Sequence, residues 1–226
     1  MGISLHWTRV VAAALGVATM ATAASATMIN NGDFSGNASS YTTWPGYDGA
    51  AGNPGAPLAW GNNNNSGGVN GTDTGFYSSS GAPFAPASFT GDFAFLQNPQ
   101  TALYAYFTVT PGQTYTITYQ DALRSGDTAG TPLAVYVEDG GIGGPQLGTT
   151  YYTTPGDTGF QNESFTYTAG SSTQDAIVFQ NTNTSGNDST VDFSNVVITA
   201  VPEPASMGLM GVGGAAILLL RRKRAC

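Results

Sequence analysis

Cysteine and histidine are almost missing from this chain, with one of each in 226 residues: Cys226 at the end and His6 near the start. No disulfide framework can form. Residues 27–200 contain neither Cys nor His, so no Ser-His-Asp or Cys-His arrangement can be assembled there. Charge is scarce as well, at 9 % against about 25 % in an average globular protein. Bases are scarcest. Of the 6 Lys and Arg, Arg9, Arg221, Arg222, Lys223 and Arg224 lie near the ends, which leaves only Arg124 between residues 27 and 200. Of the 14 Asp and Glu only Glu203 lies outside that stretch, so it holds 13 acids against one base, a net charge of −12. Such a surface has no cationic groove to displace counterions from nucleic acid. It suits calcium or a neutral or cationic partner, and it keeps a protein soluble. Arg124 is placed to meet a ligand carboxylate or, more simply, a local acid such as Asp121 or Asp127. No phosphate-binding or dinucleotide glycine motif follows a strand.

Gly, Asn, Ser and Thr fill the space that charge leaves. Aromatics still reach 11 %, with 11 Tyr and 11 Phe, too many for a chain that stays unfolded. From residue 92 onward short segments alternate with period two. DFAFLQ (92–97), LYAYFTVT (103–110), TYTITYQ (114–120), LAVYVE (133–138), ESFTYT (163–168), DAIVFQN (175–181) and VDFSNVVIT (191–199) are separated by Gly, Pro, Asn and Asp. This is the pattern of half-buried strands. Residues 35–90 read as loop-rich, with turn signals but little periodicity. The expected fold class is all-β, an antiparallel β-sandwich.

The two ends differ in kind from this middle. Residues 1–26 combine a weakly basic start (His6, Arg9), an apolar run from Val10 to Met20 and an Ala24-Ser25-Ala26 cleavage site. These are the three parts of a secretory signal peptide, cut before Thr27. At the other end, Pro202-Glu203-Pro204 precedes an apolar run from Ala205 to Leu220, followed by Arg221-Arg222-Lys223-Arg224. As a helix the run rises about 24 Å, short of the ~30 Å hydrocarbon core but able to cross with local thinning. The basic tail would hold its end in the cytoplasm. The expected organisation is therefore a signal peptide (1–26), a β-sandwich domain (27–200) and a C-terminal signal with a short transmembrane helix (201–226).

Pro-Glu-Pro, a Gly-rich apolar helix and a terminal Arg cluster together resemble the PEP-CTERM sorting signal, a segment also catalogued as an ice-binding protein C-terminal domain. The resemblance implies general secretion, transient insertion in the inner membrane and cleavage by an exosortase. It then implies transfer to the cell surface or extracellular matrix, in bacteria that make biofilm or exopolysaccharide. It is an address and assigns no activity.

In the middle, Ile29-Asn30-Asn31-Gly32-Asp33-Phe34, Trp60, the stretch from Phe107 to Arg124 and Phe193-Ser194-Asn195-Val196-Val197-Ile198 together resemble galactose-binding-like jelly rolls, found among carbohydrate-binding modules. The resemblance implies an opening strand, an early core tryptophan, a central hairpin and a closing strand at those places. It also implies a calcium between first and last strands. Asp33 could serve there; Ser194 stands where an Asp is usual, and Asp192, on the same face, could substitute. No other cofactor is expected. Trp44 and Tyr47, in a loop without core periodicity, are the candidate glycan platforms, while Tyr104 and Tyr106 alternate against Phe107 and Val109 and face outward. No catalytic residue is expected, since the acids fall mostly in turns. Three functions follow in order: a non-enzymatic glycan-binding surface protein, an inert structural coat, and a carboxylate-based polysaccharide hydrolase.

Overall fold

The computed structural model describes residues 28–37, 47, 56, 58–63, 74–78, 91–97, 99–124, 133–153, 159–183 and 190–202. The expected signal peptide, Glu203 and Pro204, the run from Ala205 to Leu220, the basic tail and Trp44 lie outside them. Among the described residues ten strands run in chain order: β1 (Gly61–Asn62), β2 (Thr74–Ser78), β3 (Asp92–Leu96), β4 (Ala102–Thr108), β5 (Thr114–Leu123), β6 (Leu133–Asp139), β7 (Gln146–Thr153), β8 (Gln161–Thr168), β9 (Gln174–Asn181) and β10 (Val191–Ala200). They form two five-stranded sheets, ordered β1-β4-β9-β6-β7 and β2-β3-β10-β5-β8. Every neighbouring pair is antiparallel. The only helical turn among the described residues is a short 3-10 segment, Ser35–Asn37. The all-β sandwich expected from the alternation is the fold observed.

Period two decides which side chains enter the space between the sheets. On β5, Tyr115, Ile117 and Tyr119 are buried in the core while Thr118 is exposed. The centre is an aromatic stack joining the two sheets. Phe179 of β9 lies flat on Phe193 of β10, with centroids 4.2 Å apart and planes 5° apart. Trp60 packs on both, at 5.9 and 5.7 Å, and Phe34 closes on Phe193 at 5.5 Å and Trp60 at 5.2 Å. Trp60 thus takes the core position that the alignment of landmarks implied.

The Ile29–Phe34 segment is a run of bends and turns, not the opening strand expected, and its placement has its own physical reason. Its chain lies against β10, with the Val196 N–H donating to the Gly32 carbonyl at 2.9 Å and the Met28 N–H to Ile198 at 3.2 Å. A Cβ on Gly32 would stand 2.1 Å from the Val196 carbonyl oxygen, so only glycine fits there. Trp60 Nε1 donates to the Asn31 carbonyl at 3.2 Å, which fixes the ring over this segment.

Two expectations are corrected. Residues 107–124 are not a hairpin, because β4 and β5 belong to different sheets. The Pro111-Gly112 turn carries the chain across the sandwich. It is stitched to the β8–β9 connection through Val109 N to Thr173 O, Gly112 N to Ala169 O and Ala169 N to Gln113 O. Residues 35–90 also hold more order than their composition suggests, since β1 and β2 lie within them. The alternation likewise passed over β7, whose QLGTTYYT sequence is interrupted by Gly148 at φ +70°. The register there shifts: Val137 pairs with Leu147 but Val135 with Tyr151, so β7 bulges outward between them.

Two core-facing acids break the apolar pattern. Asp121 on β5 and Asp175 on β9 are both fully buried. Each reaches across to the other sheet: Thr153 Oγ1 donates to Asp121 Oδ2, and Tyr167 Oη donates to Asp175 Oδ2 at 3.1 Å. Burial pushes the carboxyl of Asp121 up to about 6, opposed by the Thr153 hydrogen bond and aided by the charge of Glu163. Burial also holds Asp175 above the ordinary carboxylate range. The fold therefore favours the protonated form of Asp175. The stability associated with that proton is full below the unfolded pKa, about 3.9, and is lost as pH rises through the higher folded value. Melting temperature should therefore fall as pH is raised from about 4 towards neutrality, and Asp175→Asn should flatten that slope. Parallel melting-temperature curves for the two proteins would refute it.

Candidate functional site

The outward face of the β1-β4-β9-β6-β7 sheet carries an array of tyrosines. Even-numbered residues of β4, β6 and β9 point away from the core. Ala102, Ala134, Ala176 and Val178 lie on this outer face and are nevertheless buried, without belonging to the core cluster. What covers this floor is on the same face. Register places Tyr104 beside Val178, Tyr136 beside Val178 from the other side, Tyr106 beside Ala176, and Tyr152 beside Ala134. The rings thus cross from β4 over β9 and β6 to β7. Small side chains let the larger rings lie down on the sheet instead of standing apart.

Two glycines seat the β4 rings. A Cβ on Gly61 would be 2.4 Å from the Tyr104 ring, and one on Gly141 would be 2.8 Å from Tyr106 Cε1. Tyr104 and Tyr106 then meet edge to face at 5.7 Å. Tyr106 remains 48 % and Tyr152 64 % exposed, high values for residues whose rings are mostly apolar. Tyr136 is half-buried between them. Burial raises its hydroxyl pKa, and Glu138 and Tyr152 add to the effect.

Amides and carboxylates surround the rings. Gln180, beside Ala134 and Ala102 in register, donates from Nε2 to Gln100 Oε1 at 3.1 Å. Gln146 donates to Thr150 Oγ1 at 2.9 Å, and Glu138 accepts from the Gly143 N–H at 2.8 Å. Rings that can stack on the C–H face of a ring-shaped ligand, with amides and hydroxyls beside them, make a surface for a polyhydroxylated neutral molecule. Among the described residues of this face there is no cation.

Of the other residues singled out from sequence, Trp44 lies outside the described residues, and Tyr47, Asp33 and Asp192 fall elsewhere. Tyr47 is half-buried and packs edge to face on Phe95 at 5.4 Å, in a small cluster with Phe93 and Phe160 on the opposite sheet. Asp33 is exposed and its Oδ1 accepts from the Ser35 N–H and hydroxyl. Asp192 is buried in β10, with Phe95 and Ala122 as register partners. Among the described residues no three of His, Cys, Asp and Glu stand where they could share an ion. Asp121 turns inward to Thr153, away from a pairing with Arg124. Tyr136 was legible, since LAVYVE alternates it against Leu133, Val135 and Val137. Tyr152 was not, because the bulge at Gly148 hides the register that brings it beside Ala134.

Among curated proteins none matches the chain in sequence. Among solved structures, TmCBM61 in complex with β-1,4-galactotriose superposes with a TM-score of 0.50 at 9 % identity, over 77 % of this chain and 99 % of that one. The arabinose-bound α-L-arabinofuranosidase MgGH51 gives a TM-score of 0.50 at 11 % identity, over 78 % of this chain but only 27 % of the enzyme. These likenesses show the fold: a galactose-binding-like sandwich of the kind seen in carbohydrate-binding modules. Residues 200–224 match the PEP-CTERM protein-sorting motif. The chain carries the sorting signal of an exported protein that is processed by an exosortase.

Proposed function

We propose that this protein is delivered to the cell surface or extracellular matrix and there binds a neutral glycan, without catalysis, on the tyrosine face of β4, β6 and β7. The observation that carries the reading is the set of Tyr104, Tyr106, Tyr136 and Tyr152 laid over a floor of buried alanines and Val178. A domain gains nothing in stability by exposing two such rings, one to 48 % and the other to 64 %. Their placement is useful to a ligand with flat apolar faces. The net charge of −12 between residues 27 and 200 disfavours anionic polymers, which makes an uncharged exopolysaccharide the fitting partner. The galactotriose-bound module of the same fold supports the choice of ligand class only by analogy.

Binding is preferred to hydrolysis for a physical reason. A glycosidase needs two carboxyls flanking a bond in an open cleft, one of them held protonated. Asp121 and Asp175 have raised pKa values, but both are sealed between the sheets. The test is a panel of soluble neutral and anionic polysaccharides offered to the purified chain. Saturable binding to a neutral glycan, little changed by salt and without release of reducing ends, is expected. Cleavage, or binding confined to anionic polymers, would defeat the proposal.

Delivery makes a separate prediction. The surface-exposed protein should begin near Thr27 and end near Pro202–Pro204 by mass spectrometry. An intact Arg221–Arg224 tail on that protein would replace exosortase release by a simple membrane anchor.

A further inference from the structure

From the pairing of Thr153 with Asp121 we infer that these side chains condense to an ester that joins the two sheets covalently. Thr153 Oγ1 belongs to β7 of one sheet and Asp121 to β5 of the other, and the hydroxyl already donates to Asp121 Oδ2. Asp121 is wholly enclosed and Thr153 is 8 % exposed. Among the described residues, Asp121 Oδ1 meets no hydrogen-bond partner, nor does the hydroxyl of neighbouring Tyr119. A buried carboxyl with an unpartnered oxygen is costly. An ester removes the titratable proton and the orphan Oδ1, and it leaves Oδ2 as an ester carbonyl, a weaker acceptor than a carboxylate and less costly to leave unpartnered. Ser35 and Asp33 also touch, but in an exposed position. Tyr167 and Asp175 meet in the core, but a phenol is a good leaving group and a poor partner for a lasting ester. Thr153 and Asp121 are an enclosed alkyl alcohol and carboxyl in direct hydrogen-bond contact across the two sheets.

The chemistry balances with the loss of one water. Thr153 Oγ1 bonds to Asp121 Cγ, and the bond from Cγ to the protonated Oδ1 breaks. The threonine hydroxyl proton joins the departing hydroxyl. Only the acid form of a carboxyl can react in this way, and burial holds Asp121 in that form to unusually high pH. Glu163 is the group placed to carry the proton. It lies on β8 opposite Tyr119, two residues along from the Asp121 partner Gln161 and on the same face. Tyr151 Oη, from the other sheet, donates to its Oε2 at 3.0 Å. Fixing two groups in one dry site raises their effective concentration to the order of 10⁵–10⁸ M, and exclusion of water favours condensation over hydrolysis. A chain without a cysteine pair gains by this route the cross-link that exported proteins usually obtain from disulfides.

The sequence supplies a clean test. Arg124 is the only Lys or Arg between residues 27 and 200, and it lies between the two linked positions. Trypsin acting on the denatured full chain therefore separates Asp121 from Thr153 unless they are bonded. The expected product is a single branched species, one water lighter than the two halves together, which mild alkali splits. Thr153→Val, which keeps the shape but not the hydroxyl, should give two separate halves, and Thr153→Ser should restore the joined species. Glu163→Gln should slow its appearance in freshly made protein. Two free halves of unmodified mass from the natural chain would overturn the inference, as would a joined species that persists in Thr153→Val.

Discussion

Replacing Phe193 by alanine is expected to remove a large part of the stability of the domain. The ring stacks on Phe179 and touches Trp60 and Phe34, so its loss opens a cavity where both sheets and the N-terminal segment converge. Phe→Ala changes in well-packed cores cost about 3–5 kcal/mol, against a total of roughly 5–15 kcal/mol for a native domain. For a domain of this size each kcal/mol moves the melting temperature by about 2–4 °C, so a fall on the order of 10 °C is expected. Phe193→Leu should cost less, because it refills part of the volume. Differential scanning calorimetry measures both. A loss under about 1 kcal/mol in Phe193→Ala would mean that the stack is not the keystone of the core.

The second large effect concerns binding. Tyr106→Ala and Tyr152→Ala remove the two most exposed rings of the face, and their removal leaves the core untouched. An aromatic anchor at the centre of a binding surface is worth about 2 kcal/mol or more, roughly a 30-fold change in Kd. The double variant should therefore weaken glycan binding by about a hundredfold or more, with some loss of additivity between neighbouring sites. Tyr136→Phe, which keeps the ring and removes the hydroxyl, should have the smaller effect. Calorimetric titration with the best neutral polysaccharide reads all three. An unchanged Kd in the double variant, with melting temperature also unchanged, would move the site elsewhere.

What sequence could and could not foretell divides along physical lines. Strands with one buried face announce themselves by alternation, and β3 to β6 and β8 to β10 were all legible in that way. β7 hides its period behind the bulge at Gly148, and β1 and β2 are short segments among turn residues. Sheet membership was beyond local reading. The Pro111-Gly112 turn looks like a hairpin, but the hydrogen bonds that send β5 into the other sheet come from Ala169 and Thr173, some sixty residues away. The same limit applied to the site. Tyr104 and Tyr106 were visibly outward, but only the pairing of β4, β9, β6 and β7 gathers them with Tyr136 and Tyr152. Tyr47 looked free because its partner, Phe95, lies on another strand. Asp121 and Asp175 sit in strands at core-facing positions, and only their partners on the opposite sheet, Thr153 and Tyr167, mark them as buried acids.

The place of β10 has a consequence for timing. This strand is the last of the ten in sequence, yet it lies in the middle of its sheet, between β3 and β5. It also supplies Phe193 to the central stack and the carbonyl against which Gly32 rests. A chain made from its N-terminus can assemble local pieces early, but it cannot complete either the sheet or the core until residue 200 is available. Nascent chains lacking β10 would expose two unfilled strand edges and an open aromatic core. The sorting motif begins where β10 ends, at residue 200. Maturation of the fold and presentation of the sorting signal are thus events of the same moment in the life of the chain, and a protease that waits for that segment meets a domain that has only just become able to close.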